Sequence, residues 1–332
     1  MKKQIIHVLG LTVVALLVAV VISRWPSSPE RISSVYSDLI AMSGILAGIG
    51  IAYIVSKVFQ LREERSRRLS KIQVLANKIT AFRKLLHRVM NNRDFWLRYT
   101  DVQTFKSKYG NVSYHDLHDH ESMDSELFNF YDDNDIESRG TIDLYLAMKE
   151  IVDEANGPHA WPYDAGYEPV YSLDEVVKYY DPANQIWYYL DGRYGKYMQG
   201  RIKEDGFTRY EDNIIRFATE VDEKYRNQSP NYRMVASLGA DFHAVYLPKI
   251  ARLIRLNEQG MPMQVYAISV LLSIIMCFGV LVPLVMQSLD NGLPIHQYIL
   301  LSCVSVVAAS VVGLLLYTFQ AIRADIIVRK AT

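Results

Sequence analysis

The sequence predicts an all-α membrane protein, with four transmembrane helices and a helical cytoplasmic domain inserted between spans two and three. Three observations predict it. The apolar residues of this 332-residue chain gather in four uncharged blocks, each near the roughly 20 residues that cross a hydrocarbon core about 30 Å thick. Lys and Arg flank those blocks asymmetrically. Between blocks two and three lie about 200 residues with helical periodicity and scarce strand signals.

Residues 5–22 hold no charge, and only His7 interrupts them. Lys2 and Lys3 before them are what a secretory signal would carry. The apolar run is too long for one, however, and Ser23-Arg24-Trp25-Pro26 is no small-x-small cleavage site. A retained anchor is expected. Residues 40–55 are also uncharged, and with their flanks 35–59 they are long enough to cross a bilayer. Residues 263–286 and 298–322 follow as the third and fourth blocks, also without a charge. The expected units are 1–59 (spans about 5–23 and 36–58), 60–262 with a stalk at 60–92, and 263–332 (spans about 263–286 and 297–321).

Orientation follows from the basic residues. Lys2, Lys3, the run from Lys57 to Lys71, Arg252, Arg255, Arg323, Arg329 and Lys330 share one side if both termini are cytoplasmic. Only Arg24 and Arg31 oppose them, and residues 287–296 contain no Lys or Arg. A multi-pass membrane protein is expected, with both termini and residues 60–262 in the cytoplasm.

The 36 Lys+Arg balance 36 Asp+Glu, so no strongly basic excess argues for nucleic acid. Cys277 and Cys303 both lie in spans, which excludes a disulfide framework and a thiolate zinc site. Locally the charge is uneven. Residues 57–93 carry 11 Lys+Arg against two Glu, read as a collar at the lipid headgroups. Residues 94–175 reverse the sign, with 19 Asp+Glu against five Lys+Arg.

After residue 60 the second span continues as a stalk. Leu69, Ile72, Ala76, Ile79, Leu86 and Val89 recur at helical spacing, interrupted by Arg83. Such a seam must bury against something, and self-association is one way. Further helices are expected at 123–131, 141–155, 173–180, 184–199, 209–228 and 231–257. Capping boxes at Ser172/Glu175 and Thr208/Glu211 open two of them, and Pro248 is a kink or a first turn in the last.

Candidate chemistry is thin. His115, His118 and His120 stand among three carboxylates and could hold zinc or manganese. The run is similar to the H-x-H-x-D-H metallohydrolase motif, except that its second His falls at Leu117. A His-rich acidic loop without metal is the plainer reading. Phosphate-cradling, dinucleotide-binding and nucleophile-elbow motifs are missing, so no enzyme and no cofactor are expected. Nine tyrosines between 163 and 197 stand beside Arg193, Lys196 and Arg201. Tyr189 with these cations could stack bases and grip phosphates, form a protein interface, or simply pack a helical core. In the spans, Gly44 and Gly48 make a GxxxG, extended by Gly50 and Ala52, and Ser305, Ala309 and Gly313 repeat the small spacing. Ser302 and Ser305 could line a narrow pore or bond back to their own helix.

In the order of its parts the chain resembles membrane effectors of bacterial anti-phage systems, the four-span channel of the Hailong type. The parts are the anchor 5–22, the small-residue span 40–55 with its basic exit 62–71, a helical domain, and two closing spans. The resemblance implies a bacterial inner (plasma) membrane, a homo-oligomer and a nucleotide or oligonucleotide ligand, and no residue motif carries over. Two readings follow: an oligomeric channel gated by its cytoplasmic domain, or a non-conducting scaffold that recruits a cytoplasmic protein.

Overall fold

The computed structural model describes residues 20, 29–96, 99–118, 125–152, 170–192, 207, 210–258, 260–289 and 295–331. Among these residues every element is helical, and three helices are long and apolar enough to cross a membrane. The expected first span lies, but for Val20, outside the described residues. Contacts divide the chain into two units, residues 1–64 with 260–332, and residues 65–259. Helix α1 (Pro29–Met90) supplies residues to both, unbroken over 62 residues. Pro29 opens it, where a missing N–H leaves no bond unmade.

The first unit is a three-helix packing of α1, α11 (Met263–Met276) continued through a π-turn (Cys277–Leu281) into α12 (Val282–Gln287), and α13 (Ile295–Ala331). Ile32, Tyr36, Leu39, Ser43, Ala47 and Gly50 recur every three or four residues and form the buried stripe of α1. Tyr36 donates to the His296 carbonyl at 3.0 Å, Leu39 packs with Cys303 and Val307, and Gly50 faces Leu272. These pairings make α13 parallel to α1, and α11 antiparallel to it. Gly279 marks a close crossing: a Cβ there would run into Ser43 Oγ and come within 3.2 Å of Val307.

The second unit places α5 (Ile136–Val152) at its centre. Eight apolar side chains of α5 are buried, with Ser138, Thr141, Asp143 and Glu150 buried beside them. A helix buried all round must be wrapped by others. Against it pack α2 (Tyr99–Tyr109), α3 (Tyr114–His118) and α7 (Tyr180–Leu190), while α4 (Ser125–Asp133), α6 (Leu173–Lys178), α8 (Glu211–Val221), α9 (Tyr232–Asp241) and α10 (Leu247–Glu258) add their buried residues to the same core. The 75–90 segment of α1 joins this core, with Phe82 stacked on Phe242 at 4.2 Å. Gly239 lets α9 approach α7, since a Cβ would stand 2.8 Å from the Ala183 carbonyl.

The Ser172/Glu175 capping box forms with both arms. The second expected box rests on Thr208, which lies outside the described residues; the N-cap of α8 is Tyr210, without a side-chain bond. The apolar seam of the stalk is buried as expected, and within the chain itself: Ala76, Ile79, Leu86 and Val89 lie in the core of this unit. Where one helix was expected at 231–257, a π-turn (Phe242–Tyr246) separates α9 from α10. The cause is Pro248, and Pro283 in the other unit repeats it. Each proline lacks an N–H and would crowd the carbonyl four residues back. The residue before each proline instead donates to a carbonyl five residues back, Leu247 to Phe242 and Val282 to Cys277. The wider turn absorbs the misfit.

Candidate functional site

The basic residues of α1 have a structural use that a headgroup collar does not require. Arg68 Nη1 donates to the Leu256 carbonyl in the last turn of α10 at 2.6 Å. Lys78 Nζ donates to the Val221 carbonyl at the end of α8, and its charge lies over the Tyr246 ring. Arg83, which interrupted the apolar seam, is buried, with Nε 3.0 Å from the Ile151 carbonyl and Nη2 2.7 Å from that of Val152. The last carbonyls of a helix have no intrahelical donor and carry the negative end of its dipole, so a cation satisfies both needs. One helix thereby closes the C-termini of three others.

A buried polar cluster centres on Asp143 of α5. Asp143 Oδ2 accepts from Tyr131 at 2.7 Å and from Tyr189 at 2.5 Å. His118 stacks on Tyr114 at 4.2 Å, directs Nδ1 to the Tyr114 carbonyl at 2.9 Å, and turns Nε2 toward Asp143 Oδ1 at 4.0 Å. Burial pushes the Asp143 carboxyl above its ordinary range, against the two tyrosine hydrogen bonds, which pull it down. Tyr131 and Tyr189 are raised, first by burial and then by the Asp143 charge, and Tyr114 is pushed up to about 12, chiefly by burial. Two turns along α5, Glu150 accepts from the Tyr114 N–H at 2.9 Å and pairs with Lys178 at 2.5 Å. The cluster ties α3, α4, α6 and α7 to α5.

Of the sequence candidates, Tyr189 and His118 meet at Asp143, a residue the sequence reading did not select. Its signal was a carboxylate inside the otherwise apolar run 142–148. His115 turns elsewhere, with Nε2 3.1 Å from the Lys178 carbonyl. His120, Arg193, Lys196 and Arg201 lie outside the described residues. Among the described residues no three His, Cys, Asp or Glu side chains gather to hold a metal ion.

In the first unit Gly44 and Gly48 lie off the buried stripe. A Cβ at either would meet nothing within 4 Å, and Ile45 and Ile49 beside them are exposed. Gly50, from the same small-residue run, packs inward on Leu272. Ser302 Oγ and Ser305 Oγ donate back to the carbonyls of Tyr298 and Leu301. Ala309 is half-buried and Gly313 is buried.

A scan of family models, a search of curated proteins and a search of solved structures each return no match to this chain.

Proposed function

We propose that this chain is a non-enzymatic subunit of an oligomeric channel in a bacterial inner membrane, and that its helical domain controls the spans through α1. One observation carries the reading: α1 is continuous over 62 residues, and three of its cations close the C-termini of α5, α8 and α10. A ligand or partner that shifts those helices acts on α1, and it biases a closed–open balance only through different affinities for the two states. Residues 40–55, 263–286 and 298–322 hold no ionised group, so a pore lined by them closes by dewetting. The open Gly44/Gly48 face is where neighbouring subunits would approach. A nucleotide or oligonucleotide ligand and a part in anti-phage defence belong to this proposal, with Tyr189, Arg193, Lys196 and Arg201 as the residues to substitute.

Bilayer recordings test it. A Gly-Gly insertion after Arg68 separates the α10 cap from the α8 and α5 caps. It should leave a folded oligomer whose conductance no longer responds to ligand. Ala309→Asn should raise basal leak. Absence of conductance from the wild type, with and without oligonucleotide, and from Ala309→Asn would replace this reading with the scaffold. That second reading draws on Ser302 and Ser305, whose hydroxyls are engaged by their own helix.

A further inference from the structure

A groove of about 550 Å³ runs between α6–α7 and α10 in the second unit. Its apolar lining comes from Val176, Val177, Leu247, Ala251 and Leu256. A volume of this size is within the range of small-molecule sites, which are mostly apolar with a few placed polar groups. Here those groups are Arg252, Arg255 and Asp181. The two arginines are exposed and lie three residues apart on one face of α10. Among the described residues neither guanidinium has a hydrogen-bond or ionic partner, unlike the cations of α1. Two positive groups against one carboxylate leave the lining with one net positive charge, matching the single negative charge of a phosphodiester.

Chain connectivity adds the source. Arg255 precedes Met263, the first residue of α11, by eight residues, so the pair is juxtamembrane in the chain. Lys and Arg at this position beside a span meet the anionic cytoplasmic leaflet. We propose that the groove binds one anionic phospholipid, its phosphodiester on Arg252 and Arg255 and one acyl chain along Val176, Leu247 and Ala251. The inference stands whether or not the protein conducts.

The test uses the full chain in bilayer nanodiscs that contain phosphatidylglycerol with a photoreactive acyl chain, and peptide mapping locates the label. Label is expected on peptides covering 176–181 and 247–256, in addition to the spans. It should fall several-fold at those peptides in Arg252→Glu/Arg255→Glu, whose changes are on the surface, and in Ala251→Trp, which fills the floor. A neutral diacylglycerol probe should label the groove several-fold less than phosphatidylglycerol. Label confined to the spans, or unchanged in the arginine variant, overturns the proposal. So does displacement by inorganic phosphate, which would assign the arginine pair to a soluble anion. Cross-linking of the groove to an acidic segment of another protein chain, in place of lipid, would overturn it equally.

Discussion

Arg83 on α1 holds the C-terminus of α5 through Val152: its guanidinium donates to that carbonyl at 2.7 Å, while 68 residues of sequence separate it from Ile151, its second acceptor. The guanidinium is itself buried and lies over the Tyr171 ring. It is therefore both a cap and part of the core.

Arg83→Met should destabilise the helical domain by about 2–4 kcal/mol, because two buried carbonyls lose their charged donor and regain no water. Arg83→Lys should recover part of this, since one ammonium can reach one carbonyl well but not two in a fork. Thermal unfolding followed by tryptophan fluorescence reads the order wild type, Lys, Met. Equal melting of wild type and Met would remove the cap from the account.

Asp143 predicts a pH dependence of unusual sign. Burial raises its folded pKa above the unfolded value near 3.8, so the folded state favours the protonated acid. Its contribution to stability is full below that unfolded value and is lost as pH rises through the folded pKa. Asp143→Asn keeps an acceptor for Tyr131 and Tyr189 and carries no charge. The variant should gain on the wild type in melting temperature as pH increases through that window. Parallel melting curves across the acid range would count against it.

Asp222 and Asp116 should behave in the opposite way. Asp222 accepts from the Lys224 N–H at 3.1 Å and from Tyr246 at 2.8 Å, which hold its carboxyl below the usual value. Its stabilisation is present above the unfolded pKa and disappears as pH falls through the folded one. Asp222→Asn should therefore flatten the acid limb of the melting curve without changing the neutral limb's slope.

The glycines of α1 and the π-turn separate packing within a chain from packing between chains. Gly279→Leu drives a side chain into Ser43 and should lower the melting temperature of the detergent-solubilised protein. Gly48→Leu meets open space within the chain and forces no such clash. If the Gly48 face lies between subunits, Gly48→Leu should reduce particle mass by mass photometry. An unchanged mass would place that face against lipid.

Topology is open to a direct check. Cysteines introduced at Ser28 and Asn291 should react with an impermeant maleimide on intact cells, and one at Ser125, which is exposed on α4, should not. Labelling at Ser125 would reverse the orientation read from the basic residues.

What the sequence determined alone is what depends on neighbours in the chain. Hydropathy over some 20 consecutive residues is such a property, so the apolar lengths of α1, α11–α12 and α13 were legible without partners. The Ser172/Glu175 box closes over three residues and was legible for the same reason. Pro248 announced an irregularity, but a kink, a new first turn and a π-turn look alike in sequence.

Tertiary structure decided where side chains of equal chemistry went. Gly44, Gly48 and Gly50 share one run, yet only Gly50 meets another helix, because the helix turns by about 100° per residue and only one stripe faces inward. Arg68, Lys78 and Arg83 read as a membrane collar until α10, α8 and α5 brought carbonyls to them from 188, 143 and up to 69 residues away. Asp143 found Tyr131 on one helix and Tyr189 on another, 12 and 46 residues along the chain. A buried charge must be met by whatever the fold delivers to it, and the identity of that partner is a property of packing.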